Sequence, residues 1–240
     1  MLIVITATIR PQKDMGNLAI CDEKQRLVQY IEALYTLIKS RPNAKIVFCD
    51  NSGFGTSELG SIVEEAIKNN VELEIISFQG SNQEILEHGK GFGEGEIIKY
   101  VLENSRLAKN EEYMVKITGR LIIDNITTLL NLLDTNKVYF NIPNIHRKDI
   151  YDTRMYAMPI GIFERFFIDE YRNVYDGQDY YIEKVYRDVL LTNKIVSQNF
   201  PKYPRIRGIS GSIGIEYGYT ELKCKVRDIL SIFNIYGKAK

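Results

Sequence analysis

The 240-residue chain has no surplus of either charge: 31 lysines and arginines balance 31 aspartates and glutamates. Proteins that read nucleic acid through its phosphates normally show a basic excess or stripe, so that class is not indicated, although a local basic pocket is compatible with neutrality. Histidine is scarce, with only His88 and His146. Cysteine is scarce as well. Cys21, Cys49 and Cys224 are odd in number and far apart, and no pair has metal-ligand spacing, so they read as reduced thiols of a cytoplasmic protein. No serine or cysteine sits in a nucleophile elbow and no His/Cys/Asp cluster has zinc or calcium spacing, which leaves a hydrolase triad and a structural metal without support. Long apolar runs are missing too. Met1 to Ile9 is apolar but short, lacks a basic leader and meets Arg10-Pro11 too soon for a signal peptide or a span. The expected location is the cytoplasm, with peripheral contact at the inner face of the cell membrane as its only link to lipid. Repeats, low-complexity tracts and Pro/Ser linkers are absent, which favours one domain over two.

What is present is an ordinary globular composition, 45% hydrophobic and 26% charged, enough for a sizeable core. Leu2-Ile3-Val4-Ile5 and Lys45-Ile46-Val47-Phe48-Cys49 read as buried strands, Val71 to Phe78 as a third strand and Tyr113 to Ile117 as a fourth. Between them, Asp22 caps a predicted helix with Leu27, Tyr30, Ile31, Leu34, Leu37 and Ile38 on one face, Ser57 to Asn69 predicts a second, and Gly95 to Asn104 a third. This β-α-β-α-β-α-β alternation argues for a mostly parallel sheet with helices on both faces, whose ligand site lies beyond the carboxyl ends of the strands. Further on, the pattern predicts a short helix from Asn125 to Leu133, strands at Lys137 to Ile142 and Tyr156 to Ile160, helices at Ile162 to Tyr171 and Tyr180 to Leu191, a glycine- and serine-rich stretch at Ile206 to Ile215, and a C-terminal helix from Thr220 to Ile235.

Several constellations carry chemistry. Gly89-Lys90-Gly91-Phe92-Gly93-Glu94-Gly95 reads as a flexible loop opening a helix, where free N–H groups and a lysine suit an anion; it matches neither the P-loop nor the dinucleotide fingerprint. In Lys116-Ile117-Thr118-Gly119-Arg120, Lys116 and Thr118 share a strand face, and a lysine inside an apolar strand needs either a ligand or an ion-pair partner. Asp50-Asn51-Ser52-Gly53 serves equally as a base or ribose site or as an Asx turn. Asp176, Asp179 and Glu183 cluster at a helix start, and the spacing of Asp179 and Glu183 puts both on one face, so one can serve as general base or both can be capping and solvated carboxylates. Tyr139, Tyr151, Tyr156, Tyr171, Tyr175, Tyr180, Tyr181 and Tyr186 crowd the second half, where packing explains most of them and sugar stacking is open to the rest. The last helix sets Lys223, Lys225, Arg227 and Lys238 beside Leu222, Val226, Ile229, Leu230 and Phe233; docking onto the domain is the simpler reading, and an anionic membrane the other.

Taken as a set, the buried first strand, the Asp50-Asn51-Ser52-Gly53 turn, Gly89 through Glu94 and Lys116 to Arg120 make the chain resemble bacterial GT-A-type glycosyltransferases of capsule and lipopolysaccharide gene clusters, over roughly residues 1–220. The resemblance implies a single α/β domain with a GT-A-like, Rossmann-like, mostly parallel sheet flanked by helices. Residues 1–124 would bind the nucleotide-sugar donor, 125–220 the glycan or lipid-linked glycan acceptor, and 221–240 would form the C-terminal helix. Thr6, Thr8, Arg10, Asp50 and Asn51 are implied to lie at the base and ribose, and Lys90, Glu94, Lys116, Thr118 and Arg120 at the diphosphate. The chain departs from the family where an Asp-x-Asp commonly holds Mn²⁺ or Mg²⁺, since Lys116-Ile117-Thr118-Gly119-Arg120 has no acidic pair. No cofactor is therefore expected, and Lys116 and Arg120, with Lys90, would stabilise the leaving diphosphate as fixed cations. Asp176-Gly177-Gln178-Asp179 is similar in place to the family's acidic motif before the acceptor-side helix, which implies Asp179 as base and Glu183 as second candidate if the reaction inverts. Two other classes stay open: a nucleotidyltransferase that makes a nucleotide sugar, disfavoured because Thr8 to Lys13 has no glycine until Gly16, and a non-catalytic nucleotide- or glycan-binding protein.

Overall fold

Strand β1 (Leu2–Ala7) is buried along its whole length. The pleat sends Leu2 and Val4 into a core on one face and Ile3, Ile5 and Ala7 into a core on the other, as its unbroken apolar sequence requires. In the computed structural model, which describes residues 1–12, 19–210 and 214–237, this strand lies inside the main sheet, third of its seven strands. Helix α1 (Glu23–Lys39) follows, with the Asp22 carboxylate accepting the Gln25 N–H at 2.7 Å. Then come β2 (Lys45–Asp50), α2 (Gly60–Lys68), β3 (Leu73–Ser77), α3 (Asn82–His88), α4 (Lys90–Asn104) and β4 (Tyr113–Thr118). The second half contributes β5 (Ile122–Ile123), α5 (Ile126–Leu132), β6 (Val138–Tyr139), β7 (Met155–Pro159), α6 (Ile160–Phe166), α7 (Ile182–Thr192), β8 (Ser197–Gln198), β9 (Ile206–Ile209), β10 (Glu216–Tyr217) and α8 (Glu221–Ile232).

Seven strands run in the order β3-β2-β1-β4-β7-β6-β8, and β10-β9-β5 form a small second sheet. The pairs β2/β3, β1/β2 and β1/β4 are parallel, whereas β7 is antiparallel to β4. This is the mostly parallel α/β sheet flanked by helices that the sequence predicts. The chain builds outward from β1 through β2 to β3, then returns to place β4 on the other side of β1. The strand order thus reverses between β1 and β4, where a crevice opens beyond their carboxyl ends. Because β7 is antiparallel, its amino end lies at that same edge, and the Thr118 N–H donates to the Arg154 carbonyl at 3.0 Å.

Several predicted boundaries shift. The strand expected over Lys137 to Ile142 is only Val138–Tyr139, the helix expected at Ile162 to Tyr171 is Ile160–Phe166 followed by a 3-10 turn at Glu170–Asn173, and Tyr180 to Leu191 becomes Ile182–Thr192. The larger correction concerns the glycines. Gly89-Lys90-Gly91-Phe92-Gly93-Glu94-Gly95 is not a loop: α4 begins at Lys90 and continues through Gly95, directly after α3, with only Gly89 between them at φ 109°. Gly89 supplies the left-handed turn between two helices, and the others allow close packing. A Cβ on Gly91 would sit 2.8 Å from Ile182 Cβ, one on Gly93 would sit 3.0 Å from Asn51 Nδ2, and one on Gly95 would overlap Tyr171. Periodicity cannot distinguish glycines that loosen a chain from glycines that let a helix lie flat against its neighbours. Gly95→Ala is therefore expected to destabilise the protein by about 3 kcal/mol in urea unfolding, because overpacking displaces the Tyr171 backbone. Gly161→Ala in α6, where a Cβ would meet nothing within 4 Å, should be neutral or stabilising by up to about 1 kcal/mol.

Candidate active site

A cleft of about 860 Å³ opens at the β1/β4 switch point. Its floor comes from Thr6 and Thr8 at the end of β1, Asn51 and Ser52 after β2, and Thr118 and Arg120 at the end of β4. One wall is the start of α4 (Lys90, Gly91, Gly93, Glu94), and the other brings Asp152, Thr153, Arg154, Asp176, Tyr181 and Glu183.

One side of the cleft is cationic. Arg26 and Arg120 are 5% and 8% exposed, yet their hydrogen bonds go to neutral atoms. Arg26 Nε donates to the Thr8 carbonyl at 2.7 Å and its Nη1 to the Ile20 carbonyl at 3.0 Å, while Arg120 Nη1 donates to Gln29 Oε1 at 2.9 Å. Among the described residues neither guanidinium has a carboxylate within 4 Å. Burial pushes the Arg120 guanidinium down from its ordinary range, and the charge of Arg26 adds to that. Burial likewise lowers the Lys90 ammonium; Asp176 opposes the shift, and Arg26 and Arg120 reinforce it. Buried charges are normally paired, so cations that repel one another around one cleft define a place for an anion. Arg26 was not singled out in the sequence, although it extends the buried stripe of α1 by one turn ahead of Tyr30 and so carries a charge on an inward face.

The other side is acidic. Glu94 Oε2 lies 2.5 Å from Lys116 Nζ, and its other oxygen is buried without a hydrogen-bond partner. Glu183 accepts from Thr153 Oγ1 at 3.1 Å. Burial, reinforced by the charge of Glu94, pushes the Glu183 carboxyl up to about 7. Asp176 accepts the Lys90 N–H at 3.0 Å, and its carboxyl is raised by burial. The start of α4 is thereby capped by a protein carboxylate, which reduces its value as an anion site.

The remaining sequence candidates divide. Thr6, Thr8, Arg10, Asn51, Lys90, Glu94, Thr118, Arg120 and Glu183 all line the cleft. Lys116 does not: it is 0% exposed, held by Glu94, by Thr118 Oγ1 at 3.0 Å and by the Thr153 carbonyl at 2.8 Å. Its ion pair fixes Glu94. Asp50 is also buried behind the surface, accepting the N–H groups of Ile9 (2.8 Å), Ser52 (2.9 Å) and Phe54 (3.1 Å), so it shapes the loops and does not face a base. Asp179 lies outside the cleft, its side chain 69% exposed and 2.6 Å from Lys184 Nζ. It adopts φ 59° ahead of α7 and so shares no helix face with Glu183. Of the tyrosines, Tyr139, Tyr156, Tyr171 and Tyr186 are core, while Tyr151 and Tyr181 line the cleft together with Tyr30 and Tyr217. Gly16, Lys13, Gly211, Ser212 and Lys238 lie outside the described residues.

The end of β4 offers Thr118 and Arg120, and the next carboxylate, Asp124, accepts from Arg207 Nε at 2.9 Å and Tyr219 Oη at 2.9 Å. Among the described residues no three His, Cys, Asp or Glu side chains come together as a metal-holding group.

No known family profile matches the chain, and no curated protein matches its sequence. Solved structures do match. An active-site mutant of LgtC aligns with a TM-score of 0.54 at 10% identity, covering 84% of this chain and 74% of that one. The galactosyltransferase LgtC in complex with donor and acceptor sugar analogs aligns at 0.53 with the same identity and coverage. The apo form of the glycosyltransferase GlyE of Streptococcus pneumoniae aligns at 0.49 and 12% identity, over 83% of this chain and 45% of that one. The LgtC alignments establish that this chain has the GT-A glycosyltransferase fold.

Proposed function

We propose that this protein is a glycosyltransferase that moves a sugar, a hexose in the simplest case, from a nucleoside-diphosphate donor to a hydroxyl of a bacterial surface glycan, free or lipid-linked. The observation that carries the reading is the pair of buried, carboxylate-free guanidiniums, Arg26 and Arg120, at the switch-point crevice of a GT-A sheet. In this reading the two arginines, with Lys90, hold the diphosphate and stabilise the charge that develops on it as the glycosidic bond breaks. Their planar forks suit phosphate oxygens bidentately, and their burial strengthens each hydrogen bond. Asn51, Ser52 and the β1 loop face the nucleoside.

Glu183 is the proposed base for an inverting transfer. It faces the cleft, and with a carboxyl near 7 it takes up the acceptor proton at physiological pH. Glu94, held by Lys116, lines the cleft nearby and keeps the Glu183 proton affinity high.

The test is transfer or donor hydrolysis measured against UDP-, GDP- and CMP-sugars, with and without EDTA. Activity that persists in chelator is expected. Complete loss in EDTA restored by Mn²⁺ would overturn the cationic site, and pyrophosphate released from a nucleoside triphosphate and a sugar phosphate would replace the reading with nucleotidyl transfer.

A further inference from the structure

Helix α8 docks onto the domain by its polar side. Cys224 and Arg227 are buried beneath it, and the Arg227 guanidinium lies between the rings of Tyr203 (3.8 Å) and Tyr236 (4.1 Å) while Nη2 donates to the Ile142 carbonyl at 3.1 Å. Its apolar residues are consequently turned outward: Leu222 is 75% exposed, Val226 48%, Ile229 59% and Phe233 70%. At about 100° per residue, these four project within about 60° of one another, on the side away from Cys224 and Arg227. Lys225 stands on one flank of this stripe and Lys223 on the other. Among the described residues neither lysine is ion-paired. The helix's own carboxylates, Glu221 and Asp228, are engaged by Arg205 at 3.4 Å each.

We propose that this face of α8 is a membrane-docking surface that seats on anionic phospholipid headgroups. The occupant follows from charge complementarity. A stripe of large apolar side chains bordered on both edges by lysines matches an apolar layer under a negatively charged plane, with the lysine stems reaching up to the headgroups. A second copy of the chain fits less well. In a parallel two-fold pair the flanks of one helix meet the flanks of the other at the same height, so lysine faces lysine. Among the described residues no helix is long and apolar enough to cross a membrane, so the contact is interfacial. The helix starts four residues after Tyr217, which lines the cleft. Four residues span at most about 14 Å, so docking through α8 holds the acceptor side of the cleft close to the headgroup plane.

Co-sedimentation with vesicles tests this without reference to activity. The whole protein is expected to pellet with vesicles containing phosphatidylglycerol, to do so less as salt rises, and to stay in solution with phosphatidylcholine alone. The double change Lys223→Glu and Lys225→Glu should lower partitioning by at least about 30-fold, and Ile229→Ser with Phe233→Ser by at least about tenfold. Both variants alter exposed positions, so unchanged thermal unfolding and unchanged rates on a water-soluble acceptor should accompany the loss. Failure to pellet with phosphatidylglycerol vesicles overturns the proposal. So does a concentration-dependent dimer, seen by sedimentation velocity, that the serine variant dissociates.

Discussion

Glu183→Gln is expected to lower the rate of sugar transfer by about 100- to 10,000-fold, the range that a positioned general base supplies, with little change in donor affinity. Glutamine keeps the shape and the hydrogen bond from Thr153 Oγ1 but cannot accept the acceptor proton. The pH profile is the sharper readout. Because burial and the charge of Glu94 raise the Glu183 carboxyl from its ordinary 4.5 to about 7, the rate in the wild type should climb through pH 7 and level off above it, and that limb should vanish in the variant. Stability should move the other way. A carboxyl whose folded pKa is raised contributes stability that is complete below its unfolded value and lost as pH rises through the folded one. Wild-type stability should thus decline between about pH 4.5 and pH 7, on the order of 1 to 3 kcal/mol, and Glu183→Gln should remove the decline. An unchanged rate would exclude Glu183 as the base, and an enzyme that retains anomeric configuration without one would then be the reading to pursue. Asp179→Asn, at an exposed carboxylate outside the cleft, should change the rate less than twofold.

Replacing Arg26 or Arg120 by methionine is expected to weaken nucleoside-diphosphate binding by about 30- to 1,000-fold in calorimetry, as truncation of a buried charge partner does. The companion effect separates an anion site from a structural arginine. Among the described residues neither guanidinium has a carboxylate partner, and both are buried, so their desolvation and mutual repulsion weigh against the ligand-free protein. Either methionine should raise the melting temperature of the free protein while abolishing the stabilisation that added nucleoside diphosphate confers. A variant that binds the nucleotide normally would sink the diphosphate assignment. Arg10, half-exposed and paired with Glu23 at 2.9 Å, is the control: Arg10→Ala should cost less than about fivefold in affinity.

The cationic side of the cleft was the more legible part. A chain that reads β-α-β-α-β-α-β implies parallel strands whose carboxyl ends share one edge of the sheet. The residues at those ends could therefore be named together, Thr6, Thr8, Asn51, Thr118 and Arg120 among them. Where the reading failed, the failure concerned which way a group faces. Lys116 and Asp50 sit at the ends of the correct strands, but each finds partners inside the protein, Glu94 for one and three backbone N–H groups for the other. An isolated sequence shows a buried charge as a demand for a partner and does not say whether protein or ligand meets it.

The acidic side came from contacts between residues far apart in the chain. Thr153 and Arg154 reach the cleft because β7 runs antiparallel to β4, a direction that no local pattern encodes. The sequence put Asp179 ahead of Glu183, but Asp179, left-handed ahead of α7, turns into solvent while Glu183 lines the cleft. The amino-acid sequence by itself determined the layered α/β architecture, the place of the ligand crevice and the absence of an acidic pair after β4. These depend on periodicity, chain order and residue type, all of which are local. Tertiary structure alone decided that the glycines of α4 serve packing, that Arg26 joins Arg120, and that α8 turns its apolar stripe outward, because each depends on which of two faces a neighbouring element covers.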